Sequence, residues 1–230
     1  MATVYNPAIV TDGLVLCLDA GNTKSYPGSG TAWNDLSGRS NNGTLTNGPT
    51  YSSSNGGSVV FDGTNDFVSV TGSITTTEAT FLSWINRNGT QVAWSGLLFS
   101  RSTNVTGINF RSNTHEIGYH WNAEGASGAS TYDWASSLII PDAQWCMVCV
   151  SVNSTAAIAY LCTSSGISSA TNTLSHTSTT INTIRLAHDP APASSRYYKG
   201  NMSTSMLYNR ALSAAEVRQN FNALRGRFGL

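Results

Sequence analysis

The chain has 230 residues, enough for one large domain with a substantial core. Only 10% of them are charged, and 12 cations offset 12 anions, against about 25% charged in ordinary soluble domains; no basic stripe marks a nucleic-acid footprint. No apolar run approaches the length of about 18 residues that a membrane-spanning helix needs, and an aromatic content of 10% argues against disorder.

Ser, Thr, Asn and Gly make up nearly half of the chain, residues that disfavour helix interiors and suit strands, turns and loops. Residues 1–11 read as an arm, without the basic and apolar regions of a secretory signal. The run "GLVLCLDA" (13–20) is the first strand, followed by a long turn-rich loop with Trp33 as its anchor in the core. "SVVFDGTNDFVSV" (58–70) reads as a hairpin about a Gly-Thr-Asn-Asp turn. "ATFLSWIN" (79–86) places Phe81, Ser83 and Ile85 on one face and Leu82 and Trp84 on the other, as expected of a central strand in a two-layer stack. Further strands follow in "GLLFSR", "GINFR", "EIGYHW", "QWCMVCVSV" (144–152), "AAIAYLCT" (156–163), "TIRLAH" (183–188) and "MSTSMLYN" (202–209). "HDP" (188–190) reads as a turn. Short strands at this spacing predict an all-β sandwich or jelly roll of about a dozen strands.

One helix is predicted. In "SAAEVRQNFNAL" (213–224), Ser213 and Glu216 form a capping box, and Val217, Phe221 and Leu224 fall on one stripe. The organisation expected is an arm (1–11), a sandwich (12–211), and the helix with its tail (212–230). Cys17, Cys146, Cys149 and Cys162 all lie in apolar strand-like runs and read as buried thiols. A bridge from Cys17 to Cys149 or Cys162 stays open at this stage. Cys146 and Cys149 point to opposite faces of their strand, with no Gly or Pro between them to turn a zinc knuckle.

The opening "GLVLCLDAGNTKSYPGSGTAWNDLSGRSNNGTL", then "FDGTNDFVSV", and the closing "YYKGNMSTSMLYNRALSAAEVRQNFNALRGRFGL" resemble laminin-G-like domains of the concanavalin A-like lectin/glucanase superfamily. The resemblance implies two curved antiparallel sheets packed face to face, with one short C-terminal helix. The wording is most similar to versions carried by tailed bacteriophages. It implies a non-enzymatic virion surface protein, made in the host cytoplasm without a signal peptide. Capsid decoration, tail, baseplate and fibre positions fit equally. Its partners would be other virion proteins, further copies of itself and host-surface glycans. A dedicated glycan-binding lectin module is the alternative. In the glucanase branch the catalytic carboxylates stand as Glu-x-Asp-x-Glu on one strand; here the four glutamates Glu78, Glu116, Glu124 and Glu216 each lack an acid two residues on, so hydrolysis is not expected.

Three groups of candidate residues follow. A sugar platform needs an aromatic face flanked by hydrogen-bonding side chains, which Tyr119, Trp121, Asn122, Tyr132, Asp133 and Trp134 offer, with His120 among them. Asp19, Asp62, Asn65 and Asp66 are the candidates for Ca2+, which takes six to eight oxygens, although "DGTND" also reads as a tight turn; no cofactor is required. Arg225, Arg227 and Phe228 in the tail are candidates for an assembly contact, or for a clasp onto the chain itself.

Overall fold

The computed structural model describes residues 8–102, 104–112, 114–122, 131–191 and 195–230. Strands are numbered in chain order. An eight-stranded sheet runs β13 (Gly166–Asn172), β12 (Ala157–Thr163), β11 (Trp145–Val152), β7 (Ala79–Arg87), β17 (Lys199–Tyr208), β5 (Ser58–Asp62) and β4 (Thr50–Ser52), with β1 (Leu14–Asp19) also paired to β17. A seven-stranded sheet runs β10 (Glu116–His120), β9 (Val105–Arg111), β8 (Gly96–Arg101), β14 (Thr179–Leu186), β6 (Phe67–Thr76), β3 (Gly43–Thr46) and β2 (Ala32–Trp33). β15 (His188–Asp189) and β16 (Arg196–Tyr197) form a two-residue ribbon beside them. Each ladder joining these strands is antiparallel.

The two large sheets bury one core between them, which includes Trp33, Phe61, Phe81, Ile85, Phe110, Tyr119 and Trp121. The predicted alternation of β7 holds: Phe81 and Ile85 enter this core, while Leu82 and Trp84 face the opposite way into a second cluster. β11 behaves alike, with Cys146, Val148 and Val150 inward and Met147 and Cys149 outward. All four cysteines are free and buried, and burial pushes the Cys17 and Cys162 thiols up to about 12.

The second cluster is closed by the C-terminal helix α1 (Ala214–Leu224). Its capping box is complete, with the Glu216 N–H donating to the Ser213 hydroxyl and the Ser213 N–H to the Glu216 carboxylate. Arg210 holds the same carboxylate at 2.5 Å, and that pairing keeps the Glu216 carboxyl down at about 2. Phe221 stacks on Trp84 with ring centroids 5.5 Å apart. The arm belongs to this cover as well. The Val10 N–H donates to Asn220 Oδ1, the Tyr208 hydroxyl to the Val10 carbonyl, and the Gln219 amide to the Ala8 carbonyl.

Two expectations need correction, and a third has two alternatives. The stretch 58–70 is no hairpin: β5 pairs with β17 and β4, whereas β6 pairs with β14 and β3, so the turn between them carries the chain from one sheet to the other. Local signals mark a reversal but not which strand becomes the neighbour. Glycine is needed at position 63 because its φ is +80° and because a Cβ would meet Lys199 Cβ at 2.7 Å. "HDP" opens not as a turn but as β15, paired with β16. The tail, finally, is an internal clasp. Phe228 stacks on Trp84 at 4.4 Å and leans on Trp145 at 4.6 Å, Arg227 forks onto Asp19 at 2.6 and 3.0 Å, and Arg225 lies over the Phe221 ring at 5.7 Å. Phe228 is buried because the outward face of β7 is apolar and must be covered, whereas Arg225 stays exposed.

If Phe228 completes this cover, Phe228→Ala should cost about 3–5 kcal/mol in urea unfolding, the range for a buried aromatic. Ser213→Ala should cost about 1 kcal/mol, the loss of one cap. Equal effects of the two, or none from Phe228→Ala, would mean the tail is not packed as described.

Candidate functional site

With the helix and arm over the eight-stranded sheet, the outer face of the seven-stranded sheet is the one left to carry polar side chains. Strand periodicity places them. In β9, Ile108 and Phe110 point to the core, so Gly107, Asn109 and Arg111 point outward; in β10, Ile117 and Tyr119 go inward and Gly118 and His120 outward. Pairing sets His120 beside Gly107 and Gly107 beside Phe99 of β8, and sets Asn109 between Gly118 and Gly96. Arg185 of β14 pairs with Phe99.

The glycines let backbone lie close. A Cβ on Gly96 would stand 2.5 Å from the Asp189 nitrogen and the His188 carbonyl carbon, so β15 lies against β8 at that point. A Cβ on Gly118 would stand 2.6 Å from Asn109 Oδ1. Asn109 is fully buried, with 0% exposure, and His120 is 5% exposed. Among the described residues, both side-chain polar atoms of Asn109 and Nε2 of His120 have no hydrogen-bond partner. A buried amide without a partner costs about 1–3 kcal/mol per group, and such groups in a folded protein call for an explanation.

An aromatic group sits over His120. Trp94 stacks on Tyr132 at 4.2 Å, and His120 meets the Tyr132 and Phe99 rings edge-on at 5.0 and 5.3 Å. Trp94 holds a left-handed φ of 66°, a conformation costing about 1–2 kcal/mol for a side chain of this kind; such outliers gather at functional sites. Burial lowers the His120 imidazole to about 4, with Arg101 and Arg196 pushing the same way and Asp189 opposing. His120 is therefore neutral near pH 7. His188 is lowered to about 4 as well, by burial and by Arg185.

Beyond Phe99 the face turns cationic. Asp189, whose side chain is wholly buried, accepts Arg101 Nε at 2.7 Å and Nη2 at 2.9 Å and Arg196 Nη1 at 2.7 Å. Arg185 lies over the Phe67 ring at 4.4 Å and reaches His188 Nδ1 at 2.9 Å. His188 in turn stacks on Tyr197 at 3.9 Å.

Of the predicted sugar platform, Tyr132 and His120 reach this group. Tyr119 and Trp121 are core residues at 1% and 0% exposure, a correction imposed by the alternation that sends Ile117, Tyr119 and Trp121 inward together. The Tyr119 hydroxyl is bonded to His176 and Asn172, and Trp121 Nε1 donates to the Thr177 carbonyl. Asn122 donates to Thr177 Oγ1 and the Ser178 carbonyl. Trp134 packs edge-on against Tyr119 at 5.7 Å; Asp133 is exposed, its carbonyl accepting from Arg111 Nε. Glu124 lies outside the described residues. Sequence reading missed Trp94, Asn109, Arg101, Arg185, Asp189 and Arg196. An Asn in the otherwise apolar run "GINF" is the one local signal that could have pointed here.

The calcium candidates do not converge as a set. Asp19 and Asp62 meet β17 at Thr204 and Lys199, five residues apart, about 16 Å at strand rise. Asp19 is taken by Arg227. Asp62 accepts the Thr64 and Asn65 N–H groups, which lowers its carboxyl, and Asp66 accepts the Asp62 N–H while burial raises its own. The Asn65 carbonyl accepts from Asn47. Among the described residues no group of three or more His, Cys, Asp or Glu is placed to hold a metal ion.

A model of laminin-G-like domains, described as the concanavalin A-like lectin/glucanases superfamily, matches residues 61–218, more than half of the chain. The chain belongs to this superfamily. Domain 4 of AbnA, a GH43 extracellular arabinanase from Geobacillus stearothermophilus in complex with arabinotriose, is similar with a TM-score of 0.66 at 15% identity, over 91% of this chain and 98% of that one. Trypanosoma rangeli sialidase in complex with sialic acid gives 0.64 at 14% identity, over 96% of this chain and 34% of the sialidase. The binding domain of botulinum neurotoxin serotype D gives 0.56 at 12%, over 94% and 52%. The chain thus spans about a third of the sialidase and about half of the neurotoxin domain, and at these identities the likeness is one of fold. No curated protein matches the chain.

Two outcomes test the buried polar pair. Asn109→Leu should raise stability by about 1–3 kcal/mol, because it removes an unpaired amide from the interior; a loss would show that the amide is satisfied. His120 and His188 fall from 6.5 to about 4 on folding, so between those values the unfolded chain binds more protons. Stability is then full above about pH 6.5 and falls as pH drops towards 4. His120→Gln should flatten that fall in urea midpoints taken across the range; an unchanged profile would contradict a buried neutral His120.

Proposed function

We propose that the chain is a non-enzymatic carbohydrate-contacting domain whose ligand meets the outer face of the seven-stranded sheet. The observation that carries this reading is the stacked Trp94–Tyr132 pair, half-buried beside His120. Sugar recognition asks for that combination: an aromatic surface for the C–H face of a pyranose and a few placed donors and acceptors for its hydroxyls. The non-enzymatic part is supported by the absence of a Glu-x-Asp-x-Glu run and by the engagement of Glu216 in its capping box. The reading requires no cofactor.

The setting we propose is the exterior of a tailed-bacteriophage particle, as capsid decoration or as a tail, baseplate or fibre component. There the domain would sit among other virion proteins and further copies of itself and touch host-surface glycans. Support comes from the wording at both ends of the chain and from its low charge. Peptide mass spectrometry of purified particles tests the setting, and absence of the chain from them would remove it.

A glycan array tests the binding reading. The intact chain should bind a defined subset of saccharides, and Trp94→Ala should weaken that binding by about tenfold or more, in keeping with an aromatic contact of about 1–3 kcal/mol, with its circular dichroism unchanged. No binding at millimolar saccharide, or binding indifferent to Trp94→Ala, would contradict it.

A further inference from the structure

Resting on that reading, we infer that the saccharide recognised here is anionic, with a sugar-borne carboxylate or sulfate seated against Arg185 and the Arg101–Arg196 pair. The argument is one of charge placement. The chain as a whole is neutral, with 12 cations against 12 anions, yet this face holds two arginines on one carboxylate and a third, Arg185, on the neighbouring His188. Counting Arg101, Arg185 and Arg196 as +3 and Asp189 as −1 leaves +2.

Asp189 does not face the ligand. Its side chain is wholly buried beneath the two guanidiniums, whose own side chains remain 20% and 17% exposed. It therefore works as a strut, fixing two planar forks at the rim while leaving their outer edges to the solvent side. Among the described residues Arg185 has no carboxylate within ion-pair distance. Its neighbours are the Phe67 ring and the His188 imidazole, and a neutral imidazole nitrogen accepts a hydrogen bond without cancelling charge. A guanidinium pre-oriented on an aromatic face, with no anion of its own, suits a bidentate oxyanion.

Register makes these groups one surface with the aromatic pair. Arg185 is lateral to Phe99, Arg101 lies on the Phe99 ring at 5.7 Å, and His120 meets that ring at 5.3 Å. A saccharide against Trp94 and Tyr132 thus meets the cationic rim by extending past His120 and Phe99.

Isothermal titration of the full chain decides the matter, with four probes: an oligogalacturonate, the same oligomer with its carboxylates reduced to alcohols, a sulfated oligosaccharide, and its desulfated counterpart. The expected result is that at least one anionic probe binds about tenfold or more tightly than its neutral partner, and that the advantage shrinks as salt rises from about 50 mM to about 500 mM. Arg185→Gln should narrow the ratio by about tenfold, and Arg185→Lys, which keeps the charge but loses the fork, should restore part of it. Which anion prevails separates carboxylate from sulfate. Equal affinity within both pairs, or a preference insensitive to salt, overturns the inference and needs no variant to do so. If neutral probes bind and respond to Trp94→Ala without an anionic preference, carbohydrate contact stands and only this inference falls; if no probe binds, both fall.

Discussion

Strand β7 is apolar on both of its faces, and the architecture follows from having to cover each. Inward, Phe81 and Ile85 meet the seven-stranded sheet. Outward, Leu82 and Trp84 would be exposed in a bare two-layer sandwich. Trp84 is instead held between Phe221 of the helix and Phe228 of the tail. A buried side chain of that size contributes about 1.5–3 kcal/mol by removal from water. The capping box that starts the helix, the Arg227–Asp19 fork that ends the tail, and the Val10–Asn220 contact that holds the arm all serve to keep those rings in place.

That cover makes the two sheets unequivalent. The eight-stranded sheet is buried on both sides at its centre, which is why β11 and β17 also carry apolar residues outward, such as Met147 and Met206. Among the described residues no helix covers the seven-stranded sheet, and its outward positions include Phe99, Arg101, Gly107, Asn109, Arg111, Gly118, His120 and Arg185. Glycines there let the β15 segment lie on the sheet and leave Asn109 flanked by positions without side chains. The cost of this face is visible in its unpaired amide and imidazole and in the left-handed backbone at Trp94.

The fold was largely legible in the sequence because period-two alternation and the S-x-x-E cap are local. Phe81/Ile85 against Leu82/Trp84 was read correctly from eight residues, and so were Trp33 as an anchor and the helix stripe of Val217 and Phe221. What failed depends on distant partners. The turn at 62–67 looks like a hairpin because both flanking strands alternate, and nothing local says that they join different sheets. The site was misread for a related reason. Tyr119 and Trp121 stand out as aromatics near a loop, yet their parity with Ile117 sends them inward, whereas Trp94 and Tyr132, far apart in sequence, meet only through the pairing of β8, β9 and β10. Arg101, Asp189 and Arg196 are likewise brought together by the β15–β16 ribbon, which has no signature of its own.

The helix, the tail and Ala8 and Val10 of the arm cover one sheet face, and the proposed ligand surface is the other. Backbone amide chemical-shift mapping with a bound oligosaccharide tests it most directly. The account predicts that shifts concentrate on β8, β9, β10 and residues 185–197, with α1 and the arm silent. Shifts clustered on α1, the arm or the tail would contradict it.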